Sequence, residues 1–129
     1  MANQFVVQLH NQPGAMATLA EALAARGVDL RAIGGGGIGD SGHVIMTTAD
    51  DETTKKVLEE GGYTFIEGES ILAEVDDKPG GMARLSRALA DAGVNIYGHL
   101  FLGRWGDRAM FAFVVDNPER ARPILERKG

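Results

Sequence analysis

The segment Asn11-Gln12-Pro13-Gly14-Ala15-Met16-Ala17-Thr18-Leu19 recurs as Asp77-Lys78-Pro79-Gly80-Gly81-Met82-Ala83-Arg84-Leu85. Extended from Pro13 to Leu30, a shift of 66 gives 10 identities in 18 positions, more than chance produces. A fixed-period match of this kind marks a duplication. The same shift, without a gap, lays Val44-Ile45-Met46 over Met110-Phe111-Ala112, Asp50 over Asp116 and Glu60 over Glu126. Two domains are therefore expected, residues 1–68 and 69–129.

Outward from this segment each copy reads the same way. Phe5–Leu9 and Ile71–Val75 are apolar or β-branched, partly alternating, and read as strands. Each runs into an Asx-containing turn. Pro13 and Pro79 are expected in the first helical turn, where a missing N–H costs nothing. Met16, Leu19 and Leu23, matched by Met82, Leu85 and Leu89, form one buried stripe on the following helix. Gly27 and Gly93 close those helices. Strands Val28–Ile33 and Val94–Leu102 follow, then a glycine-containing turn, then strands His43–Thr48 and Ala109–Val115. Asp50 or Asp51, and Asn117, can cap a second helix. A final strand begins near Tyr63 in copy one. The order β-α-β-β-α-β predicts an α+β fold of ferredoxin-like plan, antiparallel sheets with both helices on one face.

Copy two ends early. Lys128 and Gly129 align with Gly62 and Tyr63, so the strand Tyr63–Glu67 has no counterpart, and Pro123 falls inside the last helix. The missing strand would leave Ile71–Val75 with an open edge. Residues 63–76 are expected to run as one long extended segment, or a second chain to cover that edge.

Composition excludes several functions. A net charge of −5, with no arginine- or lysine-rich run, argues against nucleic-acid binding. The absence of cysteine excludes disulfides, thiolate metal sites and cysteine nucleophiles. Met1–Leu9 lacks the pattern of a secretory signal, and no apolar run reaches the ~18 residues of a membrane span. A soluble cytoplasmic protein is expected.

Two units of strand, Asx-x-Pro-Gly, helix, Gly-Val-Asx-Leu/Ile carry a resemblance. They are Asn11–Met16 with Gly27-Val28-Asp29-Leu30, and Asp77–Met82 with Gly93-Val94-Asn95-Ile96. This resembles the ACT domain, and the whole chain looks like a small tandem ACT protein. The resemblance implies a ligand, an amino acid or similar small molecule, held at an interface between two ACT units. The first strand–helix loop of one unit and the start of the second strand of the other would hold it. It marks Asn11, Gln12, Gly14 and Ala15 with Asp29 and Leu30, and Asp77, Lys78, Gly80 and Gly81 with Asn95 and Ile96. The physics suits such a role. A helix N-terminus presents unpaired N–H groups to a carboxylate, glycine lets backbone approach a ligand, and Asn11 or Asp77 can accept from an ammonium. Pro-Gly after an Asx is equally good helix-start chemistry with no ligand involved. The copies differ where ligand would be touched, so any sites should be inequivalent.

Other signals are weaker. Gly34-Gly35-Gly36-Gly37-Ile38-Gly39 contains G-x-G-x-x-G, but a strand rather than a helix follows. It reads as a flexible hairpin loop or a lid, not a nucleotide site. His10, His43 and His99 lack metal-ligand spacing, so no metal or cofactor is expected, though His10 or His99 could line a pocket. No nucleophile elbow or Ser-His-Asp set is present, and Asp76 and Asp77 point apart on a strand. No catalytic residues are assigned, and the chain is read as a non-enzyme. Trp105 sits at a hairpin tip, as a contact anchor or folded on its own hairpin.

Ala109–Val115 is apolar on both faces, so the sheets should join or stack and the chain should form at least a homodimer. Two functions remain. One is a sensor that binds a free amino acid and regulates an enzyme or transcription factor. The other is an assembly module that takes no ligand and docks on a partner protein.

Overall fold

The computed structural model describes residues 3–126. The chain divides between Gly68 and Glu69 into two compact units. Unit 1 contains β1 (Asn3–His10), α1 (Ala15–Ala25), β2 (Leu30–Ile38), β3 (Ser41–Thr48), α2 (Asp51–Glu60) and β4 (Phe65–Glu69, whose last residue falls across the division). Its sheet order is β2-β3-β1-β4, with β3 antiparallel to both neighbours. Unit 2 contains β5 (Ile71–Asp76), α3 (Gly81–Asp91), β6 (Ile96–Trp105), β7 (Arg108–Val115) and α4 (Pro118–Leu125), with sheet order β5-β7-β6. Each unit follows the ferredoxin-like plan, and unit 2 has three strands among the described residues. Lys128 and Gly129, which align with Gly62 and Tyr63, lie outside them.

The cores follow the expected stripes. Leu19 and Leu23 of α1 are fully buried against Phe5, Val7, Val44 and Met46, with Met16 packed alongside. In unit 2, Leu89 occupies the same role against Ile71, Ala73 and Phe113, with Met82 and Leu85 at its margin. Asp50 caps α2 by accepting from the Thr53 N–H, and Asn117 caps α4 by accepting from the Arg120 N–H. Pro123 is accommodated inside α4. Only Ser70 separates β4 from β5, so residues 65–76 are extended almost without a break.

Three expectations are corrected. The helices start later than the prolines, at Ala15 and Gly81, because Gly14 and Gly80 adopt φ of 90°. That left-handed geometry cannot continue from a helical proline, and glycine adopts it without a Cβ penalty. The ungapped shift of 66 fails beyond β6. Gly35 pairs with Val44 and Phe101 with Phe111, but Gly36 pairs with His43 while Gly103 pairs with Met110. A β-bulge at Leu102 inserts one residue, so Val44 matches Phe111 and Asp50 matches Asn117, a shift of 67. The glycine run is not a loop. Gly34 to Gly37 pair in order with Ile45, Val44, His43 and Gly42, and the turn is confined to Gly39 and Asp40. Pairing along β3 overrides the low strand propensity of glycine.

Candidate functional site

The β1–α1 loop is held rigidly from below. The Asn11 N–H donates to the Asp40 carbonyl at 3.0 Å, and the Asn11 side-chain amide donates to the Gly39 carbonyl at 2.9 Å. The loop is thereby tied to the β2–β3 turn. It delivers the chain to α1, whose first turn has no side-chain cap, unlike α2 and α4. Unpaired N–H groups at such a helix start favour an anionic partner.

Beside this helix start lies a cavity of about 360 Å³ within unit 1. Its walls are Asn11, Gln12, Ala15 and Met16 from the loop and helix, Ile33 to Gly36 from β2, and Leu9, His10, Gly42, His43 and Val44. On the helix-facing side of the sheet, β2 presents Ile33 and then Gly35 and Gly37, and bare backbone at Gly34 to Gly36 forms one wall of the cavity. A Cβ on Gly35 would lie 2.5 Å from the His43 carbonyl oxygen, and one on Gly37 would lie 2.6 Å from the Asn11 side chain. The volume is within the range of small-molecule sites, and the lining combines an apolar floor with a few polar groups.

The corresponding position of unit 2 holds a depression of about 380 Å³, lined by Asp76, Asp77, Lys78, Pro79, Met82, Arg104, Ala109 and Phe111 with Val75. Similar volume conceals different chemistry. Arg104 Nε donates to Asp77 Oδ2 at 2.8 Å and its guanidinium lies 4.8 Å from the Phe101 ring centroid. Arg108 pairs with Asp76 below. Both ion pairs are partly exposed, so each is worth little in stability but occupies the opening with charge.

Of the residues marked in the sequence, the structure brings Asn11, Gln12 and Ala15 into one cavity, with Gly14 adjoining them as the start of α1. Asp77 and Lys78 line the unit 2 depression, with Gly80 and Gly81 at the start of α3. The space at Gly81 is taken by the chain itself, since a Cβ there would collide with the Asp76 carbonyl oxygen. Asp29 and Leu30 do not join the loop of their own unit. β1 and β2 both run antiparallel to β3, which puts the start of β2 at the opposite end of the sheet from Asn11. At roughly 3.3 Å per residue, the length of β2 separates them. Asn95 and Ile96 stand likewise at the start of β6, away from Asp77, with the Asn95 N–H bound to Asp116. A shared site would need the second strand of another ACT unit.

Sequence reasoning missed Ile33, Val44, the Gly34–Gly36 floor and Arg104. The legible signal was alternation: reading the glycine run as a strand would have put Gly35 and Gly37 on the face of Leu9 and Val44. His10 and His43 line the unit 1 cavity, while His99 packs 6.2 Å from the Phe113 ring. The Trp105 ring folds back over Gly103 and remains largely exposed. Among the described residues no cluster of three His, Asp or Glu could hold a metal, and no helix is long and apolar enough to cross a membrane.

Unit 1 is thus a ferredoxin-like βαββαβ domain with a small cavity at the start of its first helix. Residues 4–60, most of unit 1, match the family model of the ACT domain. Unit 2, beyond that match, repeats the same element order through its second helix. The chain resembles the crystal structure of protein BT0572 from Bacteroides thetaiotaomicron, with a TM-score of 0.70, 20% identity, and coverage of 97% of this chain and 86% of that one. It also resembles the regulatory subunit of aspartate kinase from Thermus thermophilus, with a TM-score of 0.61, 22% identity, and coverage of 97% and 87%. The corresponding subunit from Thermus flavus gives a TM-score of 0.64, 19% identity, and coverage of 98% and 92%. At these identities the likeness shows the fold. No curated protein matches the sequence.

Proposed function

We propose that the protein is a regulatory sensor that binds a free amino acid in the unit 1 cavity and has no catalytic site of its own. One observation carries this reading: the uncapped start of α1, with Asn11 and Gln12, opens onto a cavity that has bare glycine backbone along one wall. The helix start suits the α-carboxylate, and the Asn11 and Gln12 side chains offer acceptors to the α-ammonium. The regulatory role is supported by the ACT domain itself and by the fold shared with two regulatory subunits of aspartate kinase. In its finer form another ACT unit closes the ligand in with the start of its second strand, and the chain works as at least a homodimer. Light scattering at micromolar concentration checks that form, and a monomer contradicts it.

A thermal-shift screen against the twenty amino acids tests the reading itself. Ligand at ~100 times its dissociation constant stabilises the folded state by about 2.7 kcal/mol, roughly 5–15 °C for a domain of this size. A shift with at least one amino acid is expected. No shift with any of them removes the sensor and favours the assembly module. That second reading has its own support in unit 2, where Tyr97, Phe101, Leu102 and Trp105 are exposed on β6.

A further inference from the structure

Comparison of the two copies, residue by residue at the cavity wall, points to the chemistry of the ligand. This rests on the proposal that the unit 1 cavity binds an amino acid. Aligned through the strand register, Ile33, Gly35, Gly37, Gly42 and Val44 of unit 1 stand where unit 2 has His99, Phe101, Arg104, Ala109 and Phe111. Unit 2 therefore covers its β6 strand with an aromatic ring and a guanidinium, and Phe101 lies 5.5 Å from the Phe111 ring. Unit 1 has removed both side chains and shortened the third. What it leaves in the cavity is bare backbone at Gly34 to Gly36, bounded by Leu9, Met16, Ile33 and Val44, while the Asn11 side chain takes the space over Gly37.

The two openings also differ in charge. Four ionic side chains, Asp76, Asp77, Lys78 and Arg104, line the unit 2 depression. No aspartate, glutamate, lysine or arginine lines the unit 1 cavity. A charged ligand side chain entering unit 1 would lose water with no counter-ion to replace it. An apolar one would gain by leaving water.

We propose that the unit 1 cavity selects an amino acid with an uncharged, apolar side chain, which lies against the Gly34 to Gly36 backbone in the place that Phe101 takes in unit 2. Ile33 and Val44 are then specificity-determining residues. The proposal assigns no ligand to unit 2, where Arg104 is held by Asp77.

Titration calorimetry of the full chain with L-leucine, L-phenylalanine, L-aspartate and L-lysine tests this, together with Ile33→Glu and Val44→Phe variants. Ile33 is half exposed, so Ile33→Glu should melt like the parent. Leucine or phenylalanine should bind at least tenfold more tightly than aspartate and lysine. Ile33→Glu should weaken that binding at least tenfold, and Val44→Phe should weaken it by filling the floor. Binding of aspartate or lysine as tight as that of the apolar pair overturns the selectivity while leaving an amino-acid sensor in place. Unchanged leucine and phenylalanine affinity in Ile33→Glu overturns the location. No heat from any of the four, and no thermal shift from the other sixteen, overturns the sensor reading and this inference with it.

Discussion

Asp50 shows how much a single exposed carboxylate does at a helix start. Its Oδ2 accepts from the Thr53 hydroxyl at 2.6 Å and its Oδ1 from the Thr53 N–H at 3.0 Å. The hydrogen bond from the Thr53 side chain is the largest cause holding its carboxyl below the ordinary carboxylate range, followed by that from the Thr53 backbone. A folded-state pKa below the unfolded one means the stabilisation is complete above the unfolded value, about 4. It is lost as pH falls through the folded value. Denaturant titrations of the parent and of Asp50→Asn should therefore show a parent advantage at pH 6 to 7 that shrinks below about pH 4. A gap that is constant with pH contradicts this. Asn117, its counterpart on α4, does the same work without a charge, and Asn117→Ala should cost about 1 kcal/mol at any pH. These two caps were legible in the sequence, because Asx residues before an amphipathic run have few other uses. Gly14 and Gly80 were legible only in part. Their pairing with proline looked like a helix start, and the left-handed turn between proline and helix is a backbone choice that composition does not reveal.

At the scale of elements, the glycine strand carries the account. If Gly34 to Gly37 form a strand, alternate positions must respond oppositely to a methyl group. Gly35→Ala brings a Cβ to 2.5 Å from the His43 carbonyl oxygen and should destabilise by about 1–3 kcal/mol as β2 and β3 are pushed apart. Gly36→Ala meets nothing within 4 Å and should be neutral, or stabilising by a few tenths of a kcal/mol through the unfolded chain. Equal effects at the two positions, measured by chemical denaturation, would return the run to the loop first expected. Sequence failed here for a physical reason: a glycine strand has no side-chain periodicity to read, and its identity depends on β3 alongside it. The bulge at Leu102 was hidden for a similar reason. An inserted residue in the ladder changes register but leaves both flanking strands apolar, so an ungapped repeat still looked acceptable.

For the whole molecule, duplication followed by divergence gives two ACT-like units with unequal openings. The fold was legible almost throughout, since the repeat doubled every weak signal and placed helix stripes and strands twice. Asn11, Gln12 and Ala15, marked in the sequence, line the unit 1 cavity, whereas its strand wall of Ile33 to Gly36 with Val44 was not legible, because a glycine run has no side-chain pattern. The proposed function puts the ligand in unit 1 and none in unit 2, whose opening holds the Arg104–Asp77 pair. Amide chemical-shift mapping of the labelled full chain, titrated with the amino acid that gives the largest thermal shift, tests that claim most directly. The account predicts the largest perturbations at Asn11, Gln12, Ala15 and Gly34 to Gly36, with little change at Asp77 to Gly81. Perturbations centred on Asp77 to Gly81, or none at Asn11 to Ala15, would contradict it.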